Sequence, residues 1–256
     1  MHINAKFAFF NQTDSDLSHK EIYMPLDLYE KHQKLLALGT KRRNAQVPLD
    51  CHPIGKYQAG AYELVYVSPY TKSAKNVDAE VALVLQDWDS DKALRGPLDC
   101  DAQILGYTST MPTNVNLIAL LRRHLDLSLA ETFATNLFPF IKGGARNNDI
   151  PARLMREATE EFGMPQIQVI RPNLVICLGI SVFNSFRRFH HKKLVGSVDK
   201  GIESPFSDGQ RWYWCQSHPG QLGFINRESR GRHGQVAADW ETMAACYRES
   251  FKSLAQ

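Results

Sequence analysis

The sequence predicts an α/β fold in which a central, largely parallel sheet is flanked by helices on both faces, an α/β/α sandwich. Three observations predict it. Short apolar runs of strand length, such as residues 80–85 (EVALVL) and 173–178 (NLVICL), have little polar face, as strands buried on both sides require. Segments with helical spacing separate these runs, so strand and helix alternate along the chain. The runs also end in polar residues, and in sheets of this kind the ligand site lies beyond the carboxyl ends of the strands. With 256 residues, of which 43% are hydrophobic and 22% charged, the chain can bury a substantial core. One domain over residues 1–256 is expected, with residues 1–55 as an N-terminal helical extension.

Residues 27–38 place Leu28, Leu35, Leu36 and Leu38 at helical spacing, and Gly39 supplies a stop before a basic loop. Residues 62–66 read as a strand. Residues 80–85 form the first core strand, ending in the polar cluster Gln86-Asp87-Trp88-Asp89-Ser90. Residues 116–125 are amphipathic and helical, and residues 132–137 make the next strand, ending near Asn136, before a Gly/Asn-rich loop at 143–149. A helix opening at Pro151, where proline suits the first turn, leads to the strand at 173–178, which Gly179 closes before a helix from Ser181. Residues 211–216 (RWYWCQ) make a fourth strand ending at Ser217-His218-Pro219-Gly220, and a last helix spans 235–254.

A net charge of +3 is too small to announce a nucleic-acid partner unless the basic residues cluster. They form three short groups: Lys41-Arg42-Arg43; Arg187 and Arg188 with Lys192 and Lys193; and Arg227, Arg230 and Arg232. Each group taken alone is a solvated face. The five cysteines are spread without a C-x-x-C pair, so no zinc, redox-dithiol or iron–sulfur pattern is present, and a reduced cytoplasmic protein is expected. Residues 1–16 lack the apolar core of a signal peptide, and no run approaches the roughly 20 residues of a membrane span. His190-His191 has no third ligand at useful spacing, Glu160-Glu161 are helix neighbours that point apart, and Ser217 lacks a G-x-S-x-G elbow. No metal, no cofactor, no membrane and no required protein partner are expected.

Four segments, in order, resemble the motifs of the uracil-DNA glycosylase superfamily. LQDWDS at residues 85–90 keeps the Gln-Asp pair of the family's GQDPYH. TNLFPF at 135–140 resembles its strand-end asparagine segment, and RPNLVICLG at 171–179 its proline, apolar strand and glycine. HPGQLG at 218–223 stands where the family has HPSPLS. A Gln-Asp pair alone is a cap and His-Pro-Gly alone a turn. Their order and their placement at strand ends carry the inference.

The resemblance implies a monofunctional DNA glycosylase that hydrolyses the N-glycosidic bond of a flipped-out uracil, or of a related damaged or modified pyrimidine, and leaves an abasic site. Breaking that bond puts positive charge on the sugar and negative charge on the departing base, so a carboxylate and a hydrogen-bond donor are needed on opposite sides of it. By resemblance, Asp87 positions water and stabilises the sugar cation, and His218 donates to the base oxygen. Asn136 reads the base edge and Gln86 assists it. Leu222 matches the leucine that wedges into the vacated stack, and Arg227, Arg230 and Arg232 hold phosphates of single- or double-stranded DNA. Trp88 and Asp89 replace the family's Pro-Tyr and Leu85 replaces a glycine, which leaves uracil selectivity open and makes Trp88 and Tyr107 the stacking candidates. No lysine nucleophile is evident, which favours attack by water. Two alternatives stand beside this reading: a glycosylase for a bulky modified base in foreign DNA, serving defence, and a nucleic-acid-binding module that keeps the fold without catalysis.

Overall fold

The five residues of Val81–Leu85 are all buried, as are the five of Leu174–Leu178, so neither strand has a solvent face and both lie inside the sheet. The computed structural model describes residues 4–7, 22–144, 149–229 and 231–252. Asn4–Phe7 (β1) pairs antiparallel with Ile22–Pro25 (β2), and helix Leu26–Asn44 (α1) follows. Then come Cys51–His52 (β3), Val81–Leu85 (β4), the short helices Asp91–Leu94 (α2) and Cys100–Leu105 (α3), helix Pro112–Leu125 (α4), Phe133–Asn136 (β5) and Ile141–Lys142 (β6). Ala152–Ala158 (α5) passes through a π-helical turn, Thr159–Gly163, into Met164–Ile170 (α6). Leu174–Leu178 (β7), Ile180–Phe189 (α7), Val198–Ile202 (α8), Phe206–Ser207 (β8), Trp212–Gln216 (β9), Gln221–Glu228 (α9) and Gln235–Lys252 (α10) complete the chain.

The central sheet has the order β5-β4-β7-β9-β8, parallel throughout except for the edge strand β8. Its side chains alternate between two cores, as the two-residue strand period requires. Ala82, Val84, Val175 and Cys177 join one core with Leu35 of α1, Met155 of α5, Ile167 of α6 and Phe183 of α7. Val81, Leu83, Leu174 and Ile176 join the other with Leu117 and Leu121 of α4 and Trp240 and Met243 of α10. Helices therefore cover both faces, in agreement with the predicted α/β class. No helix among the described residues is long and apolar enough to cross a membrane.

The register decides where the strand ends fall. Leu85 lies opposite Asn136, Val84 opposite Cys177, and Leu178 opposite Gln216, so the carboxyl ends of β5, β4, β7 and β9 share one edge. The chain leaves β4 for β5 on one side and returns to β7 on the other. That reversal sets the topological switch point, where ligands of such sheets bind, at the end of β4.

Three local expectations are corrected. Residues 62–66 form an irregular segment rather than a strand, because the carbonyls of Leu64 and Tyr66 accept from the Arg42 guanidinium, and that of Leu64 also from Arg43. Arg42 is thus buried against Glu63, and Lys41-Arg42-Arg43 is not simply a solvated face. Gly39 does not stop α1, which continues to Asn44. A Cβ there would lie 1.8 Å from the Val65 carbonyl oxygen, so glycine serves the close approach of α1 to that segment. Buried Leu35 and Arg42 build α1 into the domain, and the N-terminal segment also contributes the β1–β2 pair. Part of the loop at 143–149 and the end of the last helix at Leu254 lie outside the described residues.

Candidate active site

Asp87 follows β4 by two residues and is largely buried. Its Oδ2 accepts from Lys142 Nζ at 2.9 Å, and its Oδ1 faces Gln86 Nε2 at 3.3 Å. Gln86 therefore supports Asp87 directly through its side-chain amide. Burial pushes the Asp87 carboxyl above the ordinary carboxylate range, and the Lys142 ammonium only partly offsets that push. Lys142 is the site residue that the sequence reading overlooks. Only 6% of it is exposed, and its backbone is clamped by pairing with Cys51 on one side and bridging to Ser90 on the other. The available signal is a lysine closing an apolar run, Leu137 to Ile141, directly before Gly143-Gly144.

His218 follows β9 by two residues. Asn116 of α4 donates to the Pro219 carbonyl at 2.8 Å, which ties this loop to α4. The Gly220 backbone N–H donates to His218 Nδ1 at 3.0 Å. Nδ1 is therefore an acceptor, and in the neutral ring the proton resides on Nε2, leaving that nitrogen as a donor. Burial first, and then the charge of Lys142, hold the imidazole below its ordinary value of 6.5, so the ring stays neutral near neutrality. Lys142 thus acts electrostatically on both Asp87 and His218, and all three groups stand at the same edge of the sheet.

Gly223 makes the His218 loop possible. A Cβ at this position would lie 2.0 Å from the His218 carbonyl oxygen, a backbone atom that cannot swing aside. Gly223→Ala is expected to cost about 1–3 kcal/mol of stability, the usual penalty of overpacking, and to displace His218. A denaturant titration checks this; an unchanged midpoint contradicts it.

Asn136 closes β5 and is 1% exposed. Its Oδ1 accepts from Ser68 Oγ at 2.6 Å, whereas its Nδ2 is buried without a hydrogen-bond partner among the described residues. Buried amide donors are almost always paired, so a group awaiting a partner at this edge is suited to a ligand acceptor. No protein-family model matches the chain, and no curated protein matches it. The geometry of these side chains is therefore the principal guide to what the site does.

Trp88 and Tyr107 come together, but around a neighbouring cleft of about 190 Å³ that they line with Tyr62, Tyr70, Asp89 and Asn114. The Trp88 indole donates to the Gly106 carbonyl at 2.9 Å and its ring meets Tyr62 edge-on. Tyr107 stacks on Tyr70 with centroids 5.9 Å apart. Both rings are wall elements of this cleft, and neither Asp87 nor Asn136 lines it.

Leu222 lies in α9, a helix that the sequence reading treats as loop; Gly220 is its N-cap and Gly223 its close-approach point. Leu222 is 71% exposed, and exposed Ile225 follows one turn later. Arg227 departs from the expected phosphate contact. Its guanidinium is half-buried and bonded to Asp239 at 2.6 and 2.8 Å and to Asp199 at 2.6 Å, so it anchors α9 to α10 and α8. Arg232 also binds Asp199, at 2.9 Å. Arg230 lies outside the described residues. Among the described residues no cluster of His, Cys, Asp and Glu is arranged to hold a metal ion.

Proposed function

We propose that this chain is a DNA glycosylase of the uracil-DNA glycosylase type, excising uracil or a related damaged or modified pyrimidine from DNA. One observation carries the reading. Asp87, Asn136 and His218 are far apart in sequence, yet each leaves a parallel strand at the same sheet edge, beside the switch point. Their chemistry suits the two sides of an N-glycosidic bond. Asp87 faces the sugar, where positive charge develops. His218 Nε2–H meets the base oxygen that takes up negative charge, and Asn136 Nδ2 donates to an acceptor on the base edge. Exposed Leu222, on a helix that begins three residues after His218, suits a wedge that fills the space the base vacates.

A second reading, a bulkier modified base, is favoured by the cleft between Trp88 and Tyr107, whose aromatic walls and acidic Asp89 suit a substituent bearing hydroxyls. The test uses single- and double-stranded oligonucleotides carrying uracil, hypoxanthine or hypermodified cytosine, with abasic sites revealed by alkaline cleavage. Cleavage at uracil supports the first reading and cleavage at hypermodified cytosine the second, whereas cleavage at hypoxanthine, a purine, without either contradicts both. Tight binding with no abasic product from any substrate returns the chain to the non-catalytic module. If Leu222 is the wedge, Leu222→Ala is expected to slow excision from duplex about tenfold, equivalent to about 1.4 kcal/mol, and to leave single-stranded substrate nearly unaffected. Equal loss on both substrates would assign Leu222 a different role.

A further inference from the structure

Turning an asparagine side chain over exchanges its carbonyl and its NH₂, so the two orientations of one amide read opposite base edges. Ser68 decides between them at Asn136. The serine is 1% exposed, its Oγ–H donates to Asn136 Oδ1 at 2.6 Å, and its hydroxyl has no second hydrogen bond among the described residues. If the amide turned over, Nδ2 would donate to Ser68 Oγ, and the serine proton would be buried without an acceptor. An unpaired buried donor is costly, so the orientation kept is the one that gives Oδ1 to Ser68 and leaves Nδ2 for a ligand. Ser68 is also the N-cap of the short helical turn Pro69–Lys72, yet its side chain makes no cap bond there. That turn is fixed to β5 beside Asn136. Thr71 Oγ1 donates to the Ala134 carbonyl at 2.9 Å, and the Ala134 N–H donates to the Ala74 carbonyl at 3.0 Å.

We propose that Ser68 is a positioning residue that sets the choice of base, by holding Asn136 Nδ2 toward O4 of the flipped pyrimidine and so selecting a keto ring over an amino ring. This inference rests on the glycosylase reading for uracil and names the feature of the base that the site reads. Uracil carries an acceptor, O4, beside a donor, N3–H. Nδ2 donates to O4, and the lone pair of Oδ1 that Ser68 leaves open accepts from N3–H. Cytosine carries the reverse order, an amino donor beside the N3 acceptor. In the same seat, donor would face donor and acceptor would face acceptor, which is how a polar site rejects a close analogue. An amide released from Ser68 can turn over and meet either ring.

Ser68→Ala, which removes the hydroxyl and little else, tests this. Base release by the full chain and by the variant is measured on oligonucleotides carrying uracil or cytosine at one position. Binding is measured on the same sequences with 2′-fluorinated uridine or cytidine there, which slows bond cleavage. The full chain is expected to prefer uracil in both assays, and Ser68→Ala to lower that preference about tenfold in each, the scale of one buried hydrogen bond. A merely structural serine would weaken both bases equally. Uracil release with the same preference in the variant therefore overturns the role of Ser68 and leaves the glycosylase reading standing. A uracil preference in binding that Ser68→Ala erases, with no base released by the full chain, keeps the role of Ser68 and overturns the glycosylase reading for uracil. Neither release nor preference overturns the two together.

Discussion

Asp87→Asn is expected to reduce base release by about 10²–10⁴-fold. Burial raises the folded carboxyl above its ordinary 3.8, so the ionised form costs stability as the pH rises through the folded value, and that cost is absent in acid. Asparagine removes the carboxylate but leaves the Lys142 ammonium buried opposite a neutral amide, a loss of up to about 3–5 kcal/mol that a denaturant titration reads. Unchanged base release by the folded variant contradicts the assignment.

His218→Ala is expected to lower the rate of base release by about 10²–10³-fold, or about 2.7–4 kcal/mol, the measured scale for loss of one donor to a developing oxyanion. The pH profile separates a neutral donor from a cationic acid. Burial and the Lys142 charge hold the His218 value below 6.5, and Gly220 N–H occupies Nδ1, so the functional form is the neutral ring with its proton on Nε2. The rate is therefore expected to be flat through pH 6.5 and to fall only in more acid solution. The stability contribution has the same sense: it is present above 6.5 and lost as pH falls through the lower folded value. A rate that rises on acidification through 6.5 contradicts the neutral donor.

The core was legible where burial dictates composition. Val81–Leu85 and Leu174–Leu178 read as strands because a central parallel strand has no face to give to solvent. Asp87, Asn136 and His218 were legible because polar residues stood at the ends of such strands. What failed depended on long-range contacts. Residues 62–66 have the composition of a strand, but Arg42, some 22 residues upstream, takes their carbonyls. Gly39 reads as a break, yet it lets backbone pass within a Cβ radius of another segment, as Gly223 does beside His218. Lys142 escaped because its place is set by a two-residue strand paired to Cys51, and no local pattern encodes that pairing. Arg227 read as a phosphate ligand because the two aspartates that hold it, Asp199 and Asp239, lie on other helices.

Asp87, Lys142, Asn136 and His218 are expected to surround one extruded nucleotide. A crystal structure of the protein with an oligonucleotide whose target sugar carries a 2′-fluorine, which slows bond cleavage, tests it most directly. The expected complex has a base edge on Asn136 Nδ2, a base oxygen on His218 Nε2, and C1′ facing Asp87 and Lys142. Nucleic acid seated elsewhere on the molecule, with these four side chains untouched, contradicts it.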